Sequence, residues 1–241
     1  MIVTILLPLF AMVAAGWLLA KSQWLKPKWL DVANDLTAKI LLPVLLFLGS
    51  YRYGQPDDVP LTLLAAFYFP MLIIFVALMW LLNKQTNKSP FALCAVYSNN
   101  VFLGIPIVSQ VVGDAGIRYA FMVIAFHSLL AFSLYYVASS HSLKRSRWQP
   151  IINTFKNPIV MSLVLGLSLN KIGLELPQWL LNGLGLISEV ALPGALLVLG
   201  ASLARLRLSN FWQGLLISSI KLIALPCLVY LLSKFVFGLA N

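Results

Sequence analysis

Apolar residues run along this chain in long unbroken stretches, with neither strand alternation nor the one-sided stripe of a surface helix, and the polar residues collect in short segments between them. A run of about 20 apolar residues spans the ~30 Å hydrocarbon core of a bilayer at 1.5 Å per residue. Eight runs approach that length, at 2–20, 32–50, 60–82, 90–112, 118–139, 157–173, 178–204 and 210–236. The pattern predicts eight transmembrane helices in an all-α integral membrane protein. Their connections are short, and the longest, around "SSHSLKRSRWQPIINTFK", is polar and basic without a globular pattern. A single membrane domain is expected, with no soluble appendage. Composition agrees: 61% of residues are hydrophobic, 10% are charged, and the mean hydropathy is +0.91.

The net charge of +10 changes the picture only through its placement. Phosphate binding needs basic residues clustered on a water-facing domain, and there is no such domain, so nucleic acid is not an expected partner. Basic loops are retained in the cytoplasm. The loops after the first, third, fifth and seventh runs hold eleven Lys and Arg: Lys21, Lys26, Lys28, Lys84, Lys88, Lys144, Arg145, Arg147, Lys156, Arg205 and Arg207. The opposite side holds four, Arg52, Arg118, Lys171 and Lys234. Both termini are therefore expected outside the cytoplasm. The first run has no basic leader and carries its positive charges after it, so it reads as a retained helix, not a cleaved signal. Cys94 and Cys227 lie inside runs and read as small apolar residues. His127 and His141 stand on different segments without companion ligands, so neither a metal nor a cofactor is expected.

Transporters are often built from inverted repeats, which makes self-comparison informative. A shift of 150 without a gap aligns Gly16 with Gly166, Lys21 with Lys171, Pro27 with Pro177, Trp29 with Trp179 and Pro43 with Pro193. The same shift pairs leucines 19, 30, 36, 42 and 46 with 169, 180, 186, 192 and 196. Apolar composition supplies several leucine matches, but not the Gly, Lys, Pro and Trp at one offset. Residues 1–150 read as a first repeat of five helices and 151–241 as three helices of a second, entering the membrane in the opposite sense because five is odd. On this count a partner for the fourth helix would fall near positions 249 to 256, past Asn241, so the second repeat is expected to be incomplete.

Several polar residues sit where the pattern expects hydrocarbon. "YSNNVFLGIPIV" places Asn99, Asn100, Gly104 and Pro106 inside the fourth run. Pro106 removes a backbone donor and frees the Phe102 carbonyl, while Gly104 relaxes the chain, so the helix is expected to unwind between Asn99 and Pro106. An unwound stretch is tolerated in a bilayer only where protein or a water-filled cavity covers it, and the positive end of the half after Pro106 would suit a carboxylate. The plainer alternative is a proline kink whose asparagines bond neighbouring helices. His127 is an intramembrane ionisable group, either a donor to a substrate carboxylate or a neutral ring satisfied by one carbonyl. Lys39 and Glu189 are equivalent under the shift of 150, and a two-fold axis predicts a structural ion pair between them. An intrahelical contact from Asp35 to Lys39 is the rival. Lys221 either faces a substrate path or snorkels to an interface. Trp24, Trp29, Trp148, Trp179 and Trp212 fall near run ends and read as interfacial anchors. Gly194, Ala195, Gly200, Ala201 and Ser202 give the seventh helix a small-residue face for packing within the chain or across a homodimer.

"SNNVFLGIP", "NPIVMSLVLGL" and "ALPGALLVLGASLA" together resemble the auxin efflux carrier family, which includes plant PIN-FORMED proteins and bacterial permeases for malonate and other organic anions. The resemblance runs the whole chain in order. It implies the sodium/proton antiporter-like fold of two inverted five-helix repeats. The first, second, sixth and seventh helices would form a scaffold and the rest a mobile transport domain, with the fourth and ninth helices broken and crossing. By position, the family's fourth-helix break falls on Asn99, Asn100, Gly104 and Pro106; Val101 stands where relatives usually have a small residue. The resemblance implies a secondary transporter of small organic anions in a bacterial inner membrane, moving substrate by an elevator-like displacement, with Asn99, Asn100, Gly104, Pro106 and His127 at the substrate and Lys221 as a pathway charge. The alternative is a truncated, non-transporting paralogue or fragment acting as a membrane structural or partner subunit. An enzyme is not expected, because no paired intramembrane carboxylates, activated nucleophile or metal spacing appear.

Overall fold

A computed structural model describes residues 2–22, 26–53, 61–82, 88–143, 152, 156–206 and 211–239. Each expected run falls largely on helix. In chain order these are α1 (Ile2–Lys21), α2 (Pro27–Tyr53), α3 (Leu61–Leu81), α4 (Lys88–Val96), α5 (Ile105–Val111), α6 (Asp114–Leu143), α7 (Pro158–Lys171), α8 (Gln178–Arg205) and α9 (Phe211–Phe235). Six helical spans among the described residues are long and apolar enough to cross a membrane, one of them the whole stretch Lys88–Val111. Leu6–Lys21 and Pro158–Lys171 are shorter apolar helices. The second helix begins earlier than its apolar run, at Pro27, because a proline after the extended Lys26 is preorganised to start a helix. "NPIV" has the same logic: the Asn157 side chain accepts from the Ile159 amide at 2.9 Å and Pro158 opens α7.

Three helical stretches widen into a single π turn, at Thr37–Leu41, Asn100–Gly104 and Ile220–Ala224. Each is followed two residues later by a proline, Pro43, Pro106 and Pro226. Proline cannot donate to the carbonyl four residues back and crowds it, and a wider turn relieves both effects. Pro8, Pro70 and Pro193 lie inside helices without such a turn.

The chain divides into two compact units: residues 1–56, 99–125 and 155–207 form the first, and 57–98, 126–154 and 208–241 the second. The four helices expected as a scaffold, α1, α2, α7 and α8, all belong to the first unit. The fourth and fifth membrane segments do not stay together as the resemblance implied; each is divided between the units, at Ser98/Asn99 and Ala125/Phe126.

In the first unit α1 packs along α8, α2 along α7, and α2 also meets α8. Glycine allows the closest approaches: a β-carbon at Gly16 would strike the Leu197 backbone, one at Gly200 the Val13 carbonyl, and one at Gly166 the Phe47 carbonyl. Gly16 and Gly166 are separated by 150 positions, and so are the carbonyls they abut, Phe47 and Leu197. Part of the small-residue face of α8 is thus occupied within the chain, with Ala195, Gly200 and Ala201 buried and Ser202 exposed. Both ends are fastened. The Asn170 side chain donates to the Tyr51 carbonyl at 2.7 Å, while the Tyr51 hydroxyl donates to the Leu174 carbonyl and accepts from the Leu176 amide, each at 3.0 Å. At the other end Arg205 donates to Asp31 Oδ1 at 2.9 Å and to the Pro27 carbonyl at 2.7 Å. Leu46, Ile117, Phe121, Ile124 and Leu163 fill the core.

In the second unit α3 packs against α4 and α9. Its core joins Met71, Phe75 and Leu78 to Ala92, Ala95, Val96, Ala131 and Leu225. Trp29, Trp179 and Trp212 are exposed, as anchors would be. Cys94 and Cys227 are free thiols. Trp24, Trp148, Lys84, Lys144, Arg145, Arg147 and Arg207 lie outside the described residues.

Candidate functional site

The fourth segment is interrupted, and the interruption lies upstream of the place the proline suggests. α4 ends at Val96, Tyr97–Asn99 are not helical, and the π turn at Asn100–Gly104 leads directly into α5. Gly104 has helical dihedrals (φ −65°, ψ −53°), and a β-carbon there would meet only Asn100 Cβ at ordinary contact distance. Gly104 and Pro106 are therefore parts of the second half-helix. The expected unwinding through them does not occur, because the π turn absorbs the missing proline donor.

Side chains make the break. Asn99 (φ −85°, ψ 66°) lies outside the helical region, and its Oδ1 accepts from the Phe102 amide at 3.2 Å, so it caps the second half. The half-helix N-terminus, with its positive end, lies at Asn99 and Asn100 and not after Pro106 as expected. Asn100 Nδ2 is buried and has no hydrogen-bond partner. These groups belong to the first unit.

Ser98 and His127 belong to the second unit. The Ser98 amide donates to His127 Nε2 at 3.1 Å. His127 is 2% exposed, and its Nδ1 is a buried atom without a partner. Three aromatic rings surround it: Tyr97 at 5.0 Å between centroids, Phe67 edge-on at 5.8 Å and Tyr68 stacked at 6.3 Å. Lys221 is half-buried in the π turn of α9, which packs against α4. Of these neighbours, sequence reasoning singled out only His127 and Lys221. Tyr97 and Ser98 stood in the quoted stretch, but Phe67 and Tyr68 carried no local signal, since aromatic residues are ordinary in an apolar run.

Lys39 does not pair with Glu189. Its Nζ donates to Asp35 Oδ2 at 2.6 Å, the rival intrahelical contact, and both side chains are well exposed. The partner four residues back lies on the same helix face and needs no tertiary alignment. Glu189 is exposed and makes no ion pair among the described residues. A cavity of about 280 Å³ between α1, α2 and α8, lined by residues such as Gly16, Leu30, Ala33, Thr37 and Val198, holds none of the candidate residues. Its one hydroxyl, Thr37 Oγ1, is already given to the Ala33 carbonyl at 2.7 Å.

The model of one protein family, described as membrane transport protein, matches this sequence over residues 1–151 and again over 139–240. The chain belongs to that family, the family of the auxin efflux carriers. No curated protein matched the sequence. A membrane transport protein is what six long apolar helices and a lipid setting fit, and the family is one of transporters, not of enzymes. Among membrane transport proteins, interrupted helices mark substrate and ion sites near the bilayer midplane. The break at Tyr97–Asn99 is the interruption that the described residues offer.

Proposed function

We propose that this chain is a secondary transporter of small organic anions, working by an elevator-like displacement around the interruption at Tyr97–Asn99. The observation that carries the reading is that interruption: a half-helix N-terminus beside a buried amide donor, Asn100 Nδ2, that the protein leaves without an acceptor. A buried unsatisfied donor costs about 1–3 kcal/mol, and a carboxylate at the positive end of a half-helix would relieve it. In this reading Asn99 and Asn100 are the substrate-binding groups of the first unit, with Gly104 and Pro106 shaping the half-helix behind them, and His127 is a separate substrate-binding candidate in the second. Lys221 is the charge along the path; its half-buried position favours an attracting role for an anion over a fully exposed snorkelling one.

Residues 1–150 and 151–241 are read as inverted repeats. Support comes from the packing of Gly16 on Leu197 and of Gly166 on Phe47, two contacts that the shift of 150 exchanges. The basic loops favour both termini outside the cytoplasm, in a bacterial inner membrane. Uptake of radiolabelled dicarboxylates into proteoliposomes, by the wild type and by the variant with Asn99→Ala and Asn100→Ala, tests the reading. Uptake by the wild type that the double variant loses supports it; equal uptake by both removes the assignment of the site.

A further inference from the structure

An amide freed by a helix break inside a bilayer needs an acceptor. Ser98 finds its acceptor 29 residues on, at His127 Nε2. A ring nitrogen that accepts a hydrogen bond carries no proton, so the neutral ring must hold its proton on Nδ1; imidazolium, protonated at both nitrogens, has no acceptor to offer. The ring cannot easily turn away, for it is 2% exposed and packed among Phe67 and Tyr68 of α3 and Tyr97, the residue after α4. The titratable groups whose rings pack against it are Tyr68 and Tyr97, and the charged Lys221 stands on the π turn of α9, which packs against α4.

We propose that His127 is a positioning residue, a proton-sensitive latch on the interruption. As the neutral Nδ1–H tautomer it holds the Ser98 amide and so fixes where α4 ends. Taking one proton onto Nε2 breaks that bond and frees Ser98, so the conformation of the break is tied to protonation of a buried ring. The latch rests on reading the interruption as the transport site only for its consequence in transport. The tautomer and the Ser98 bond exist without substrate.

The test uses the full chain in lipid nanodiscs with ¹⁵N-labelled histidine, the second histidine signal being removed by His141→Asn. At neutral pH the His127 signals should show a protonated Nδ1 and a bare Nε2. Acidification should protonate Nε2 and, in step, speed exchange of the Ser98 amide about tenfold beyond its intrinsic pH dependence, the worth of one hydrogen bond. His127→Phe keeps an aromatic ring in the cluster but has no acceptor, and should exchange Ser98 rapidly at every pH. His127→Gln restores an acceptor oxygen that does not titrate, and should slow exchange without restoring the pH dependence. A proton on Nε2 of the wild type at neutral pH would overturn the latch, as would Ser98 protection unchanged in His127→Phe. The wild-type tautomer decides even where a variant fails to fold. A correct tautomer and Ser98 response alongside absent dicarboxylate uptake would sink the substrate reading and leave the latch standing.

Discussion

In α2 and in the stretch Lys88–Val111 a proline follows a π turn by two residues, Pro43 in one and Pro106 in the other, yet α2 runs on from Pro27 to Tyr53 while the other stretch is interrupted at Tyr97–Asn99, ahead of its π turn. Proline is common to both and so does not explain the difference. What the fourth segment has and the second lacks is a pair of side-chain partners for backbone amides: Asn99 Oδ1 for Phe102 and His127 Nε2 for Ser98. The second helix has the opposite neighbours, a seam along α7 so tight that Gly166 lies on the Phe47 carbonyl, and Asn170 held on Tyr51. Proline widens these helices; competing side-chain acceptors break one, and close packing keeps the other whole.

The largest expected effect attacks the seam that keeps α2 continuous. Gly166→Val drives a branched side chain into the Phe47 carbonyl and should cost about 3 kcal/mol or more. Thermal unfolding in detergent should show a clear drop in Tm relative to Gly183→Val, where nothing stands within contact distance of the added atom. Equal Tm values would mean that the seam does not hold the helix. Next, Asn99→Ala removes the cap of the second half-helix at a cost of about 1 kcal/mol. Dicarboxylate uptake should fall roughly fivefold, the equivalent of that cost, and amide exchange at Phe102 should quicken. Unchanged exchange at Phe102 would show that the cap is not what starts the half-helix.

A smaller effect is expected at Lys39, which sits in the π turn of α2 but pairs only with an exposed neighbour. Lys39→Met should change stability by less than about 0.5 kcal/mol, read as an unmoved Tm. A large loss would point to a tertiary partner such as Glu189. The smallest effect belongs to Pro106→Ala. It should tighten the π turn into ordinary helix and leave the break where it is, read as unchanged non-helical ¹³C shifts at Tyr97–Asn99. Helical shifts at Tyr97–Asn99 in this variant would return the proline to the centre of the account.

Much of the architecture could be read from the chain because hydrocarbon thickness sets helix length: the runs at 60–82 and 178–204 fall on Leu61–Leu81 and Gln178–Arg205. The same reasoning placed a polar interruption in the fourth segment but put it too far along. Pro106 and Gly104 are visible local breakers, whereas the acceptor that ends α4 is His127, distant in sequence and brought in only by folding. Lys39 taught the converse. Repeat symmetry suggested Glu189, and a carboxylate one turn away on the same helix took the ammonium instead. The aromatic surroundings of His127 were illegible for the same reason as its bond to Ser98: Phe67 and Tyr68 reach it from another helix, and no spacing rule connects them.

The central claim is that the break is made by side-chain partners at Ser98 and Asn99 and not by the proline downstream. Site-resolved ¹³C chemical shifts of the full chain in lipid test it most directly. The account predicts non-helical Cα and Cβ shifts at Tyr97, Ser98 and Asn99, and helical shifts from Val101 through Pro106. Helical shifts running unbroken through Tyr97–Asn99, with the helical signature lost instead at Gly104 and Pro106, would contradict it.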